Sequence, residues 1–292
     1  MTDYHVDKIC LLLVFCFLFY KYFTRNFNYW KRKGVPYVTP TIFVGNFASI
    51  IFFRKTIAHA LEDMYNKMTT TPYFGIWVFN KPHFIVRSPE LIKHVLSKDF
   101  KSFSDRNAVS NVEADPVTGK ALFFLRNPEW KNVRSKISPV FTSGKIKNMI
   151  PLINQAGEDM IEYLTKMACK YDSLEAKEIC AKYTTDVITS CAFGVQGGSF
   201  LSNDGKFRNV GKLMFEFSIA NGIRGMSYFF LPSLVALFKI RFIPKEVSDF
   251  LSVVFWKTIQ ERRTQNYTRN DLIDIIIKIK NEEGWDNLGR NV

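Results

Sequence analysis

EWKNVRSKISPVFTSGKIKNM, residues Glu129–Met149, is the stretch that decides how this chain folds. Asn127-Pro128-Glu129 carries the chemistry of a helix start. Ser138-Pro139 stops that helix, because the residue before a proline is pushed out of helical geometry. Trp130 and Arg134 are four apart and share one helical face. An indole N–H beside a guanidinium suits a carboxylate, since the first donates one hydrogen bond and the second can donate two in parallel. The same spacing also describes a packed Trp next to a solvated Arg, and spacing alone leaves both readings open.

On the N-terminal side, Ile9–Tyr20 (ICLLLVFCFLFY) is an unbroken apolar run, extended past Lys21 by Tyr22 and Phe23. About 15 residues at 1.5 Å each reach some 22 Å, less than the roughly 30 Å of a hydrocarbon core. Snorkelling by Lys8 and Lys21 can close that gap. Asp3 and Asp7 precede the run and no small-residue cleavage site follows it, which favours a retained anchor over a cleaved signal peptide. Lys21, Arg25, Lys31, Arg32 and Lys33 crowd the downstream flank and predict that it stays cytoplasmic. The sequon Asn266-Tyr-Thr268 then faces the cytosol and goes unused. We therefore expect a membrane anchor over 1–24, a basic and proline-rich hinge over 25–46 (Pro36, Pro40, Gly45), and one helical domain over 47–292.

Within that domain Ile57, Leu61, Met64, Tyr65 and Met68 recur at helical spacing. Tyr73–Phe79 and Phe84–Arg87, parted by Asn80-Lys-Pro82, predict a small β-hairpin. Ser88-Pro89-Glu90 opens another helix. Residues 99–126 lack periodicity and read as a long loop, of the kind that is often functional. Helices are predicted over 145–170, 174–193, 207–220 and 244–267, with a last one from Asn270. Met226–Phe242 between them is strongly apolar. The fold class is mainly α with a small β-hairpin.

Composition narrows the chemistry. Hydrophobic residues at 47%, with 28 Phe, can fill a core and exclude intrinsic disorder. Lys+Arg 40 against Asp+Glu 27 gives 40 − 27 = +13, yet the basic residues are spread over the whole chain with no nucleic-acid-binding signature, so a membrane surface explains the charge better than nucleic acid. The five cysteines form no CxxC pair, the four histidines no H-x-x-x-H, and there is no phosphate-binding or nucleophile-elbow motif. Cys180 and Cys191, eleven apart, read as small core residues rather than ligands.

Glu129–Met149 resembles the helix C signature of microsomal cytochrome P-450 monooxygenases, most closely the insect xenobiotic-metabolising family. Further stretches agree in order and spacing: Pro72-Tyr-Phe-Gly-Ile-Trp77, Phe103-Ser-Asp-Arg106, Asp115-Pro-Val-Thr-Gly119, Cys191-Ala-Phe-Gly194 and Arg269-Asn-Asp-Leu-Ile-Asp274. The resemblance spans essentially the whole chain. It implies that Trp130 and Arg134 bind haem propionates, with Arg106 as a further contact. It also implies that the loop Val109–Phe124 is a substrate-recognition segment placing Leu122, Phe123 and Phe124 near a lipophilic substrate. Residues 226–242 correspond to a connection that dips into the membrane. The resemblance further implies that Lys131, Lys136, Lys145 and Lys147 lie near a basic surface that receives an NADPH-dependent reductase, with cytochrome b5 as an optional partner, while each lysine taken alone also reads as a solvated surface residue. The location implied is the endoplasmic reticulum membrane, with the globular part cytosolic.

The sequence also departs from that family. It contains no A-G-x-x-T, no E-x-x-R and no F-x-x-G-x-R-x-C-x-G, the loop whose cysteine thiolate ligates haem iron. We expect an incomplete cytochrome P-450 fold, helices A to H, without the haem-thiolate half. Two functions follow from this: the N-terminal part of a haem monooxygenase, inactive alone, or a truncated, non-catalytic membrane-anchored protein.

Overall fold

A computed structural model describes residues 2–108, 111–170, 172–201, 205–216, 218–265 and 267–283. The start of the expected substrate loop at Val109, the sequon residue Asn266 and the tail from Trp285 to Val292 lie outside the described residues. The chain divides into two compact units, Met1–Ser104 and Asp105–Val292, and the boundary falls within the stretch expected to be one domain.

The first unit opens with α1 (Thr2–Thr24), followed by α2 (Tyr29–Arg32), α3 (Ala48–Ile51) and α4 (Ile57–Lys67). The apolar run of α1 is exposed throughout, with Leu11 at 75% and Leu13 at 63%. Among the described residues no helix is long and apolar enough to cross a membrane. The physical reason is the one the run length gave: Asp3, Asp7 and Lys8 begin the helix and Lys21 interrupts its end, leaving an apolar segment short of the hydrocarbon thickness.

Strands β1 (Tyr73–Val78) and β2 (Lys81–Val86) pair antiparallel in register Tyr73↔Val86 to Val78↔Lys81. The turn is tighter than expected. It is Phe79-Asn80, with Phe79 at φ 54°, and Lys81 and Pro82 belong to the strand. Pro82 is tolerated because β2 is an edge strand and needs no second row of donors. β1 is buried along almost its whole length, with Trp77 fully so. Its far edge is covered by the proline-rich segment, where Gly75 donates to Pro36 O at 2.8 Å and Val38 donates to Gly75 O at 3.0 Å. The Asn46 side chain accepts from Trp77 N at 2.8 Å. Gly75 is required there, because a Cβ would sit 2.3 Å from the Trp30 ring. That ring lies on the strand and donates through Nε1 to Ile76 O at 3.1 Å. Helix α5 (Pro89–Lys93) and a wider turn at His94–Lys98 complete this unit.

The second unit holds α6 (Pro116–Gly119), α7 (Glu129–Ile137), α8 (Ser143–Ala168), α9 (Ala176–Ala192), α10 (Lys206–Phe215), α11 (Ile219–Phe230), α12 (Pro232–Phe238), α13 (Lys245–Gln265) and α14 (Leu272–Glu283). The helix expected over 207–220 stops at Phe215, and a new one begins where the Ser218 hydroxyl accepts from Asn221 N at 3.1 Å. Much of the apolar 226–242 stretch is therefore helical. Cys180 is exposed and Cys191 only half-buried, which corrects the reading of both as core residues.

A buried charge cluster ties three of these helices. Arg262 of α13 donates to Asp271 at 2.7 Å, to Asp274 of α14 at 2.6 Å and to Gly194 O, just past α9, at 3.2 Å. Arg269 adds bonds to Gly194 O at 2.8 Å and to Ser190 Oγ at 2.9 Å. Asp271 caps α14 through Asp274 N at 3.1 Å, while Asp274 accepts from the N–H groups of Arg269 and Asn270 at 2.7 Å each. Gly194, at φ 67°, leaves no room for a side chain, since a Cβ would meet the Asp271 carboxylate at 2.8 Å. The Arg262 and Asp271 side chains are 6% and 0% exposed, so the pair is screened little. Removing one partner strands a buried charge, which costs about 3–5 kcal/mol. Arg262→Met is therefore expected to lower the unfolding free energy by that amount in urea titrations. A loss below about 1 kcal/mol, the range of surface pairs, contradicts this role.

Candidate haem-binding and substrate-facing site

Helix α7 carries the first two expected site residues. Its first turn closes when Trp130 N donates to Arg126 O at 2.8 Å, and it ends where Ser138 Oγ donates to Arg134 O at 2.7 Å. Pro128 is the cap and gives no side-chain bond, so the cap chemistry read at Asn127 is not what starts this helix. Asn127 acts differently, its N–H donating to Asp105 Oδ1 at 3.0 Å. That bond brings the segment bearing Arg106 to the start of α7. The sequence contained Asp105 within Phe103-Ser-Asp-Arg106, but a side chain bonding a backbone N–H 22 positions away has no local signature.

Trp130 is half-buried and Arg134 exposed, one turn apart on the same face. Among the described residues the Arg134 guanidinium has no hydrogen-bond or ion-pair partner. Arg106 is exposed too, and its guanidinium lies 4.7 Å from the centre of the Phe123 ring. Cation–π stacking leaves the in-plane N–H groups of Arg106 open for an anion. The donor set thus fits a group that carries carboxylates, such as haem with its propionates.

Of the expected substrate residues, Phe123 lies against Arg106. Leu122 and Phe124 are half-buried, and Phe123 is 44% exposed. Phe124 packs edge-on against Tyr228 and Phe242, each at 5.5 Å between ring centres, and Phe123 against Phe229 at 5.9 Å. The structure therefore joins Arg106, Phe123 and Phe124 to the α11 aromatics.

The larger cavities lie elsewhere. One of about 660 Å³ is lined by Val195, Phe207, Phe250 and Val254, and one of about 470 Å³ by Gln155, Asp159, Asp186 and Arg269. Neither includes any of the six expected site residues. In the second, Asp186 accepts twice from Ser199 N, at 3.1 and 3.0 Å, and burial pushes its carboxyl above the ordinary range. Among the described residues no group of three or more His, Cys, Asp or Glu is placed to hold a metal ion.

The cytochrome P450 family model matches residues 35–290. The chain belongs to the cytochrome P450 family. Cytochrome P450 6k1 of Blattella germanica is 38% identical over 281 residues, which cover 96% of this chain and 53% of that protein. The probable cytochrome P450 6g2 of Drosophila melanogaster is 38% identical over 265 residues, 88% of this chain and 51% of that protein. Cytochrome P450 6a2 of the same fly is 34% identical over 279 residues. The chain spans about half the length of the curated relatives it matches. The incomplete cytochrome P450 fold read from the sequence, mainly helical with a small hairpin, is thus shown, and haem is the cofactor of this family.

Cys191 has a distinct environment: burial raises its pKa, and the Asp271 charge raises it further. At pH 8 its thiolate fraction is therefore below that of an ordinary cysteine. Iodoacetamide is expected to alkylate exposed Cys180 well before Cys191, as followed by peptide mass spectrometry. Equal rates contradict the assigned environment.

Proposed function

We propose that this chain supplies the N-terminal half of a haem monooxygenase that oxidises lipophilic substrates, with Trp130, Arg134 and Arg106 seating the haem propionates. The observation that carries this reading is the exposed Arg134 guanidinium, without a hydrogen-bond or ion-pair partner among the described residues, one turn from Trp130. Bound haem supplies the redox chemistry, the insertion of one oxygen atom from O₂ into the substrate. The residues of this chain bind and orient. Arg134 offers a two-pronged donor to one carboxylate, Trp130 its indole N–H, and Arg106 a second guanidinium placed over the Phe123 ring. Leu122, Phe123 and Phe124 present an apolar surface to the substrate and keep water from it.

Two surfaces fit the same reading. Lys131 and Lys147 are exposed, and with half-buried Lys136 and Lys145 they offer a basic face to an acidic reductase, whose docking long-range attraction would accelerate. The apolar face of α1, continued by exposed Ile42, Phe43, Phe52 and Phe53, suits association with the endoplasmic reticulum membrane surface. Cations at Lys21, Arg25, Lys31, Arg32 and Lys33 add attraction to anionic lipid. Xenobiotics and endogenous lipids or hormones are the substrate class.

Each charge-assisted bond to a propionate contributes about 1.5–3 kcal/mol. The double variant Trp130→Phe, Arg134→Gln of the full-length enzyme is therefore expected to bind haem at least tenfold more weakly, measured as haem per polypeptide. Unchanged haem content refutes the assignment.

A further inference from the structure

One buried carboxylate is left unused by the reading above. Asp115 is 0% exposed. Its Oδ1 accepts from Thr118 N at 3.2 Å, capping the single turn of α6. Its Oδ2 accepts from Phe242 N at 3.0 Å and from Ile243 N at 3.2 Å, well over a hundred residues further along the chain. Among the described residues no Lys or Arg forms an ion pair with it, so its charge is met by three backbone N–H groups. A buried ion satisfied in that way is expensive to place and strongly held once placed. An amide or hydroxyl could cap the α6 turn alone. Two carboxylate oxygens are what allow one side chain to cap that turn and clamp a distant strand of backbone together.

What the clamp joins is informative. On one side it fixes the turn leading into Phe123 and Phe124. On the other it fixes Phe242, whose ring lies 5.5 Å from Phe124 and 5.1 Å from Tyr228. The Tyr228 hydroxyl donates to Ile240 O at 2.9 Å, and burial, followed by the Asp115 charge, pushes its pKa up to about 12. The phenol therefore remains a neutral donor and keeps its ring in place. Tyr228 is fully buried, whereas Phe123 and Phe229 are 44% and 37% exposed. The cluster has a closed floor and an open aromatic face.

We propose that Asp115 is a positioning residue for binding of apolar substrates: its carboxylate clamps the Pro116–Phe124 turn to the backbone at Phe242 and Ile243 and so fixes the aromatic face on which the substrate rests. This rests on the reading of Phe123 and Phe124 as substrate-facing, and the experiment separates the two. Asp115→Asn keeps the side-chain volume but leaves one acceptor oxygen, so only one half of the clamp survives. In the full-length haem-loaded protein, hydrogen exchange at the Phe242 and Ile243 amides is expected to quicken about tenfold or more, the effect of losing bonds to a charged acceptor. The amides of β1 and of Asp274 are expected to keep their rates. The dissociation constant for 7-ethoxycoumarin, a neutral aromatic probe followed by the haem absorbance, is expected to rise about tenfold in the same variant, and also in Phe123→Ala. Unchanged exchange at Phe242 and Ile243 overturns the clamp. Faster exchange with unchanged probe affinity makes Asp115 a purely structural tie and overturns its positioning role. A Phe123→Ala dissociation constant equal to the parent's overturns the substrate-facing reading, and the proposal with it.

Discussion

The second unit depends on a single buried guanidinium. Arg262 reaches Asp271, Asp274 and the Gly194 carbonyl at once, and so holds the ends of α9, α13 and α14 at one point. Such a cluster gives little net stability compared with a well-packed apolar core, because desolvating the ions costs nearly what their attraction returns. What it does give is a fixed geometry: the fork of the guanidinium and the caps of α14 are satisfied in one arrangement only. Gly194 is part of that constraint, since its left-handed backbone and missing Cβ let the carboxylate approach.

Two smaller carboxylate ties act in the same way nearer the proposed site. Asp105 fastens the Arg106 segment to the start of α7, and Asp115 fastens the aromatic turn to the backbone that precedes α13. Each is a charged acceptor meeting backbone N–H groups of an irregular segment. Loops that carry binding residues cannot rely on helical or sheet ladders for position, so side-chain acceptors must hold them instead. In the first unit Asn46 has the same task, fixing the proline-rich segment along β1.

Much of this was legible in the sequence, and the parts that were not share a cause. The helices at 143–168, 176–192 and 245–265 follow from apolar periodicity, and the hairpin from its aromatic and branched runs. That Trp130 and Arg134 share one helical face was legible because four-residue spacing on a helix fixes it, while their proposed role came from the family resemblance. The stop at Phe215 was missed because no Gly or Pro marks it, and the break is set by the Ser218 cap of the next helix. The turn at Phe79-Asn80 was missed because Pro82 is usually a breaker, and an edge strand tolerates it. Asp105, Asp115 and Arg262 went unassigned because their partners lie 9 to 128 residues away. Long-range polar contacts leave no periodic trace.

The central claim is that Trp130, Arg134 and Arg106 form a seat for carboxylates on the haem. The most direct measurement titrates the full-length apoprotein with haem and with haem dimethyl ester, following absorbance. Esterification removes both negative charges and leaves the ring and the iron unchanged. Loss of charge-assisted bonds to guanidinium predicts uptake of the ester at least tenfold weaker than that of haem. Equal affinity for the two would contradict the account.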